Sequence, residues 1–127
     1  MRSERGWMKS RLLPRICAGI AMLCTINSVL AQEVFKHLSA AEIKQTITGK
    51  MVADGPHWAD RFARDGTVES VMQGQAQKGH WSVRGSNLCL AYLNAKTEEC
   101  FEVWRHGQMI EYRRDSQRIA QGTLGHQ

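Results

Sequence analysis

Residues 79–107 read GHWSVRGSNLCLAYLNAKTEECFEVWRHG, and the turns inside this stretch decide the fold. Arg84-Gly85-Ser86-Asn87 is a tight-turn signal, and folding the chain back on it sets Val83 across from Leu88 and Trp81 across from Leu90. A four-residue loop over Leu93-Asn94-Ala95-Lys96 then pairs Tyr92 with Thr97, which places Cys89 directly opposite Cys100. With that closure the cysteines fall at a non-hydrogen-bonded position, where Cα atoms stand about 4.5 Å apart. A disulfide spans roughly 4.4–6.8 Å, so the register itself predicts a bridge. His106-Gly107 is the next tight turn and brings Ile110 and Tyr112 onto the face of Leu88, Leu90, Tyr92, Phe101 and Val103. The separately placed turns agree on one apolar face.

Working outward, Arg64-Asp65-Gly66 suits a three-residue hairpin loop with Gly66 left-handed. That register sets Phe62 opposite Val68 and Trp58 opposite Met72, all on one face. Asp115 to Arg118 is a last polar break. Upstream, one segment reads as helix. Ser39 and Glu42 form a capping box, Leu38 can staple against Ile43, Ile43 and Ile47 share a face, and Gly49 is placed to end the helix. The fold predicted is α+β and mostly β. One short N-terminal helix, about 39–48, packs as a lid or plug on an antiparallel meander of six to seven strands. Closure of that meander into a small lipocalin-like barrel is left open.

Residues 1–31 have the order of a cleaved secretory signal peptide, leaving residues 32–127 as a single small β-rich domain. Arg2, Arg5, Lys9, Arg11 and Arg15 face one acid, Glu4; an uncharged apolar run from Ile16 to Leu30 follows, then Val29-Leu30-Ala31 before Gln32. The run is short for a membrane span, which needs about 20 apolar residues, and Asn27 and Ser28 sit near its end. The expectation is a periplasmic or secreted protein exported by the general secretory route, with no stable membrane anchor after cleavage. Five of the 17 basic side chains and one of the 12 acidic ones lie in this segment, so the net charge of +5 falls to +1. A nucleic-acid partner therefore loses its electrostatic support. Cys17 and Cys24 leave as well, and the remaining pair in an exported domain is most simply the Cys89–Cys100 disulfide.

Period 2 sends His80, Ser82, Arg84, Cys89, Ala91, Cys100, Glu102, Trp104, Glu111 and Arg113 to the face opposite the apolar one. A solvated outer face, with Trp104 packed on the bridge or under Arg113, accounts for this pattern. A recognition surface accounts for it too, with Trp104 as anchor and His80, Arg84 and Arg113 supplying polar contacts.

Two blocks carry a resemblance: Leu38-Ser-Ala-Ala-Glu42-Ile43 through Gly49-Lys50, and Gly79-His-Trp81-Ser-Val83-Arg-Gly85 through Leu88-Cys89. With Asp65-Gly66-Thr67 and the later Cys100, they resemble small exported proteins of Gram-negative bacteria of unknown function. Those share an L-x-x-x-E-I-x-x-x-x-x-G-K opening, a DGT turn and a G-x-W-x-V-x-G-x-x-L-C strand pair. The resemblance implies a compact periplasmic β-domain with a disulfide and carries no activity. The overall plan also resembles small lipocalin-like periplasmic protease inhibitors, which place a cysteine early in the barrel where this chain has none.

No G-x-S-x-G element is present, and both remaining cysteines are committed to one bridge. Glu98, Glu99 and Glu102 read as solvated charges rather than a glycosidase pair. His37, His57, His80, His106 and His126 lack metal-ligand spacing. Ninety-six residues also leave little volume for both a core and an internal site. The expectation is a non-catalytic domain, without catalytic residues, metal or cofactor, that binds a small ligand or an envelope protein. The alternatives are a structural or envelope-homeostasis protein, a protease-inhibitor-like protein, or a small enzyme.

Overall fold

The computed structural model describes residues 32–127. The segment read as a signal peptide lies outside the described residues. The chain runs β1 (Lys36–His37), α1 (Ala40–Ile47), β2 (Lys50–Asp54), β3 (Trp58–Phe62), β4 (Thr67–Met72), β5 (Gln75–Arg84), β6 (Asn87–Tyr92), β7 (Glu99–His106), β8 (Met109–Arg114) and β9 (Gln117–His126). Every pairing is antiparallel. β2 to β9 close on themselves, because β7 pairs with β8 and β9 pairs with both β8 and β2. The result is an eight-stranded barrel, with β1 added to the edge of β7 beyond the point where β6 starts. Closure leaves the eight strands without a free edge of the kind that templates aggregation.

The hairpin registers follow from turn chemistry. Gly66, Gly85 and Gly107 have φ of +91°, +57° and +57°, the conformations that let these short connections return the chain. They produce Phe62 opposite Val68, Trp58 opposite Met72, Val83 opposite Leu88, Trp81 opposite Leu90, and Val103 opposite Tyr112. Cys89 faces Cys100 across β6 and β7 and is bonded to it, with the Cα atoms 4.1 Å apart. The β6–β7 connection is wider than the four residues expected: its last ladder pair is Leu90 with Glu99, and Tyr92 pairs with Gly79 instead.

α1 begins where the capping box predicts. Ser39 N–H donates to Glu42 Oε2 at 2.8 Å, and Glu42 N–H donates to Ser39 Oγ at 3.3 Å. The Lys36 ammonium and the Ser39 backbone hold the Glu42 carboxyl down to about 2. Ile43 and Ile47 enter the core with Leu38, Val52, Phe62, Val68, Leu88, Val103 and Ile110. The helix therefore plugs the end of the barrel where β2 starts and β5 finishes.

Two elements depart from the sequence expectation of six to seven strands. β1 is two residues long and owes its place to pairing with Trp104 and Arg105. β9, ten residues after the Asp115-Ser116 turn, supplies the closure itself. Its inward row is Ala120, Gly122 and Leu124, with too little side-chain bulk in the first two to show as an apolar alternation.

Candidate functional site

Opposite the plugged end the barrel is hollow. A cavity of about 970 Å³ opens between the ends of β2, β4, β6 and β8 and the starts of β3, β5, β7 and β9. Its walls carry Trp58, Leu90, Phe101 and Tyr112, with Ala53, Ala95, Ala120 and Gly122 where bulk would fill it. Tyr112 stacks on Phe101 with ring centroids 5.1 Å apart and meets Trp58 at 5.7 Å. Gly122 is required by this packing, because a Cβ there would stand 3.0 Å from the Trp58 ring and 2.9 Å from the Ala53 carbonyl oxygen. Met72 and Ile119 line the cavity and are exposed, giving an apolar lip.

The floor is polar and buried. Asp60 on β3 faces Ser70 on β4 as a register pair, and both are nearly inaccessible, at 8% and 5% exposure. Ser70 Oγ donates to Asp60 Oδ1 at 2.6 Å, and Tyr112 Oη donates to Asp60 Oδ2 at 3.3 Å. Tyr92 Oη lies 2.6 Å from Ser70 Oγ. The Ser70 proton is already spent on Asp60, so Tyr92 is the donor in that contact. Three hydroxyl protons are thus directed, in series or directly, toward one carboxylate.

Burial sets the ionisation of the group. Desolvation raises the Asp60 carboxyl above its usual range, opposed by the hydrogen bonds from Ser70 and Tyr112. Desolvation, reinforced by the Asp60 charge, pushes Tyr92 up to about 12 and Tyr112 well above the ordinary phenol value. Among the described ion pairs none involves Asp60. The native state therefore holds the Asp60 proton more tightly than the unfolded chain does. The cost of ionising it is absent below the unfolded value of 3.8 and grows as pH rises through the raised one.

The residues read from the sequence as a recognition surface lie on the outer wall. Trp104 is half-buried, stacked with the His37 ring at 5.0 Å and lying under the Arg113 guanidinium at 4.1 Å. Its Nε1 donates to Glu102 Oε2 at 3.0 Å. Arg113 also pairs with Glu111 at 2.6 Å. Arg84 shares a cross-strand row with Asn87, Glu102 and Arg113 but is bound to Glu98. His80 sits two outward rows from Arg84 along β5, opposite Thr67 and Ala91. The structure thus brings Trp104 and Arg113 into contact, places Arg84 in line with them and leaves His80 apart.

No protein family, curated protein or solved structure matches this chain. Function must be read from the chemistry of the site.

The cavity is larger than expected if 96 residues leave little volume for both a core and an internal site. A closed barrel encloses volume that a folded-over sheet would fill with side chains. Among the described residues no His or Cys lines the cavity. Its buried floor carries one carboxyl and three hydroxyls, with Ser70 donating to Asp60 and accepting from Tyr92. Among the described residues the one cluster with metal-ligating atoms is Cys89, Glu98 and Cys100, and its two sulfurs are consumed by the bridge. The signal for the floor was present in the sequence: setting Trp58 opposite Met72 and Phe62 opposite Val68 forces Asp60 opposite Ser70, a polar pair on an apolar face.

Proposed function

We propose that this protein is an exported, non-catalytic binding protein whose barrel interior holds a small amphipathic molecule. The observation that carries the reading is the cavity of about 970 Å³ with aromatic walls and a buried polar floor. Ligand pockets typically enclose about 300–1,000 Å³, are mostly apolar and converge on a few placed polar groups. The Asp60 cluster supplies those polar groups, and the exposed Met72 and Ile119 at the mouth suit an apolar body passing between them. Trp104 is a weaker candidate anchor than a bare ring, since His37 and Arg113 already cover it.

The neutral fluorophore N-phenyl-1-naphthylamine tests the reading directly. Its fluorescence is expected to rise on binding. Ala120→Phe, which fills the cavity from β9, should weaken that binding at least tenfold, while Trp104→Ala leaves it unchanged. No fluorescence response, or binding lost in Trp104→Ala and retained in Ala120→Phe, would overturn the cavity reading.

Export rests on the basic, apolar and small-residue order of residues 1–31, and a disulfide is compatible with an oxidising compartment. Intact-mass measurement of exported protein should find a chain beginning at Gln32. A species retaining residues 1–31, or one carrying lipid, would count against it.

A further inference from the structure

We propose that the cavity selects a protonated amine carried on an apolar body, with the ammonium seated on Asp60 at the floor. This inference rests on the cavity being the binding site, and it adds the class of ligand.

Hydrogen-bond direction carries it. With Asp60 ionised, Ser70 and Tyr112 each give their only hydroxyl proton to it, and Tyr92 gives its own to Ser70. What the floor still offers is lone pairs: those left on the carboxylate and those of the two phenol oxygens. A ligand group arriving there must donate. An alcohol can do so once, a carboxylate cannot, and an ammonium can do so three times while bringing the opposite charge.

Charge points the same way. The charged side chains lining the cavity are Asp54, Asp60 and Glu99 against Arg118. Arg118 is engaged by Gln121 at 2.7 Å and lies 3.7 Å from Glu111, which leaves the floor without a cation of its own. A buried carboxylate lacking a counter-ion is costly, and a ligand that supplies one recovers that cost on binding. Above the floor, Trp58, Phe101 and Tyr112 give the cavity an aromatic wall suited to the apolar body.

The interaction depends on pH in a stated direction. The titratable groups facing Asp60 are Tyr92 from β6 and Tyr112 from β8; Asp54 on β2, Glu99 on β7 and Arg118 on β9 line the same cavity. Both tyrosines stay protonated across the useful range. The carboxyl that gains a proton at the floor as pH falls is Asp60, so acid removes the partner of the ammonium.

The probes are 1-naphthylmethylamine, 1-naphthylmethanol and 1-naphthoic acid, which share one apolar body and differ in the head. Calorimetry at pH 8 should rank the amine at least tenfold tighter than the alcohol, with the acid weakest. The amine preference should shrink at pH 4. Asp60→Asn should reduce it to about twofold or less while alcohol binding persists. If Asp60→Asn does not fold, the pH series on the unaltered protein decides alone. Equal binding of all three heads, or a preference for the acid, would overturn the amine assignment while leaving the cavity as the binding site. Binding of none of them, with no response from N-phenyl-1-naphthylamine either, would overturn the cavity reading and this inference with it.

Discussion

Gly79→Ala is expected to cost about 3 kcal/mol or more of folding stability, a loss large enough to threaten a domain of this size. Gly79 faces inward on β5 where that strand changes partners: residues 75–80 pair with β4 and residues 79–84 with β6. Only Gly79 and His80 belong to both ladders, so the sheet turns its corner there. The turn brings β6 over the position a side chain would occupy. A Cβ at residue 79 would stand 2.2 Å from the Ala91 carbonyl oxygen and 2.7 Å from the Tyr92 Cα. Both are backbone atoms, so no rotamer change relieves the overlap. Gly74 is the matched control. It has φ +79° with nothing within 4 Å of its missing Cβ, so Gly74→Ala meets only the left-handed backbone cost of about 1–2 kcal/mol. Urea unfolding of the two variants checks the ordering. Equal losses would mean that β5 and β6 do not approach this closely.

The same glycine shows how much of the fold was legible. Tight turns carry their own chemistry, so Asp65-Gly66, Gly85-Ser86 and His106-Gly107 fixed three registers, while the loop over Leu93 to Lys96 gave the register that places the disulfide. Gly79 has no turn around it; its requirement comes from how closely the paired strand β6 crosses over it and leaves no local mark. The closing role of β9 was left open for a related reason. Ala120 and Gly122 face inward because Tyr112 and Trp58 fill the space beside them, so the strand is held by its ladders and by its partners' bulk.

The site was less legible than the fold, and the reason is physical. Alternation reports which way a side chain points, never whether the space it points into is filled. Trp58, Leu90, Phe101 and Tyr112 were rightly assigned to the inner face, yet besides packing with the core they line a cavity. Once closure by β9 is known, Asp60 and Ser70 become intelligible as a floor. On the outer face the sequence allowed both a ring under Arg113 and a bare anchor, and Trp104 does lie under Arg113. His37, which covers it, comes from β1, a strand no period could announce.

Replacing Cys89 and Cys100 together with alanine is expected to lower stability by about 2–3 kcal/mol without changing the fold. The two positions are eleven residues apart, so the bridge closes a short loop and removes unfolded conformations in proportion to the logarithm of its length. It does so at one of the two shortest seams of the barrel: like β2–β9, the β6–β7 ladder has four register pairs, from Asn87–Glu102 to Leu90–Glu99. Beyond them the chain leaves the ladder while Tyr92, Ala95, Thr97 and Glu99 line the cavity. Two readouts separate the contributions. If the bridge acts chiefly on the unfolded chain, the double variant should unfold with a steeper dependence on urea, because its denatured state is more expanded. If it also holds the seam, amides of residues 87–102 should exchange faster than those of β2 and β3. Reductant added to the unaltered protein should reproduce both effects. Quantitative thiol labelling of the denatured protein without reductant would instead show that Cys89 and Cys100 are not joined.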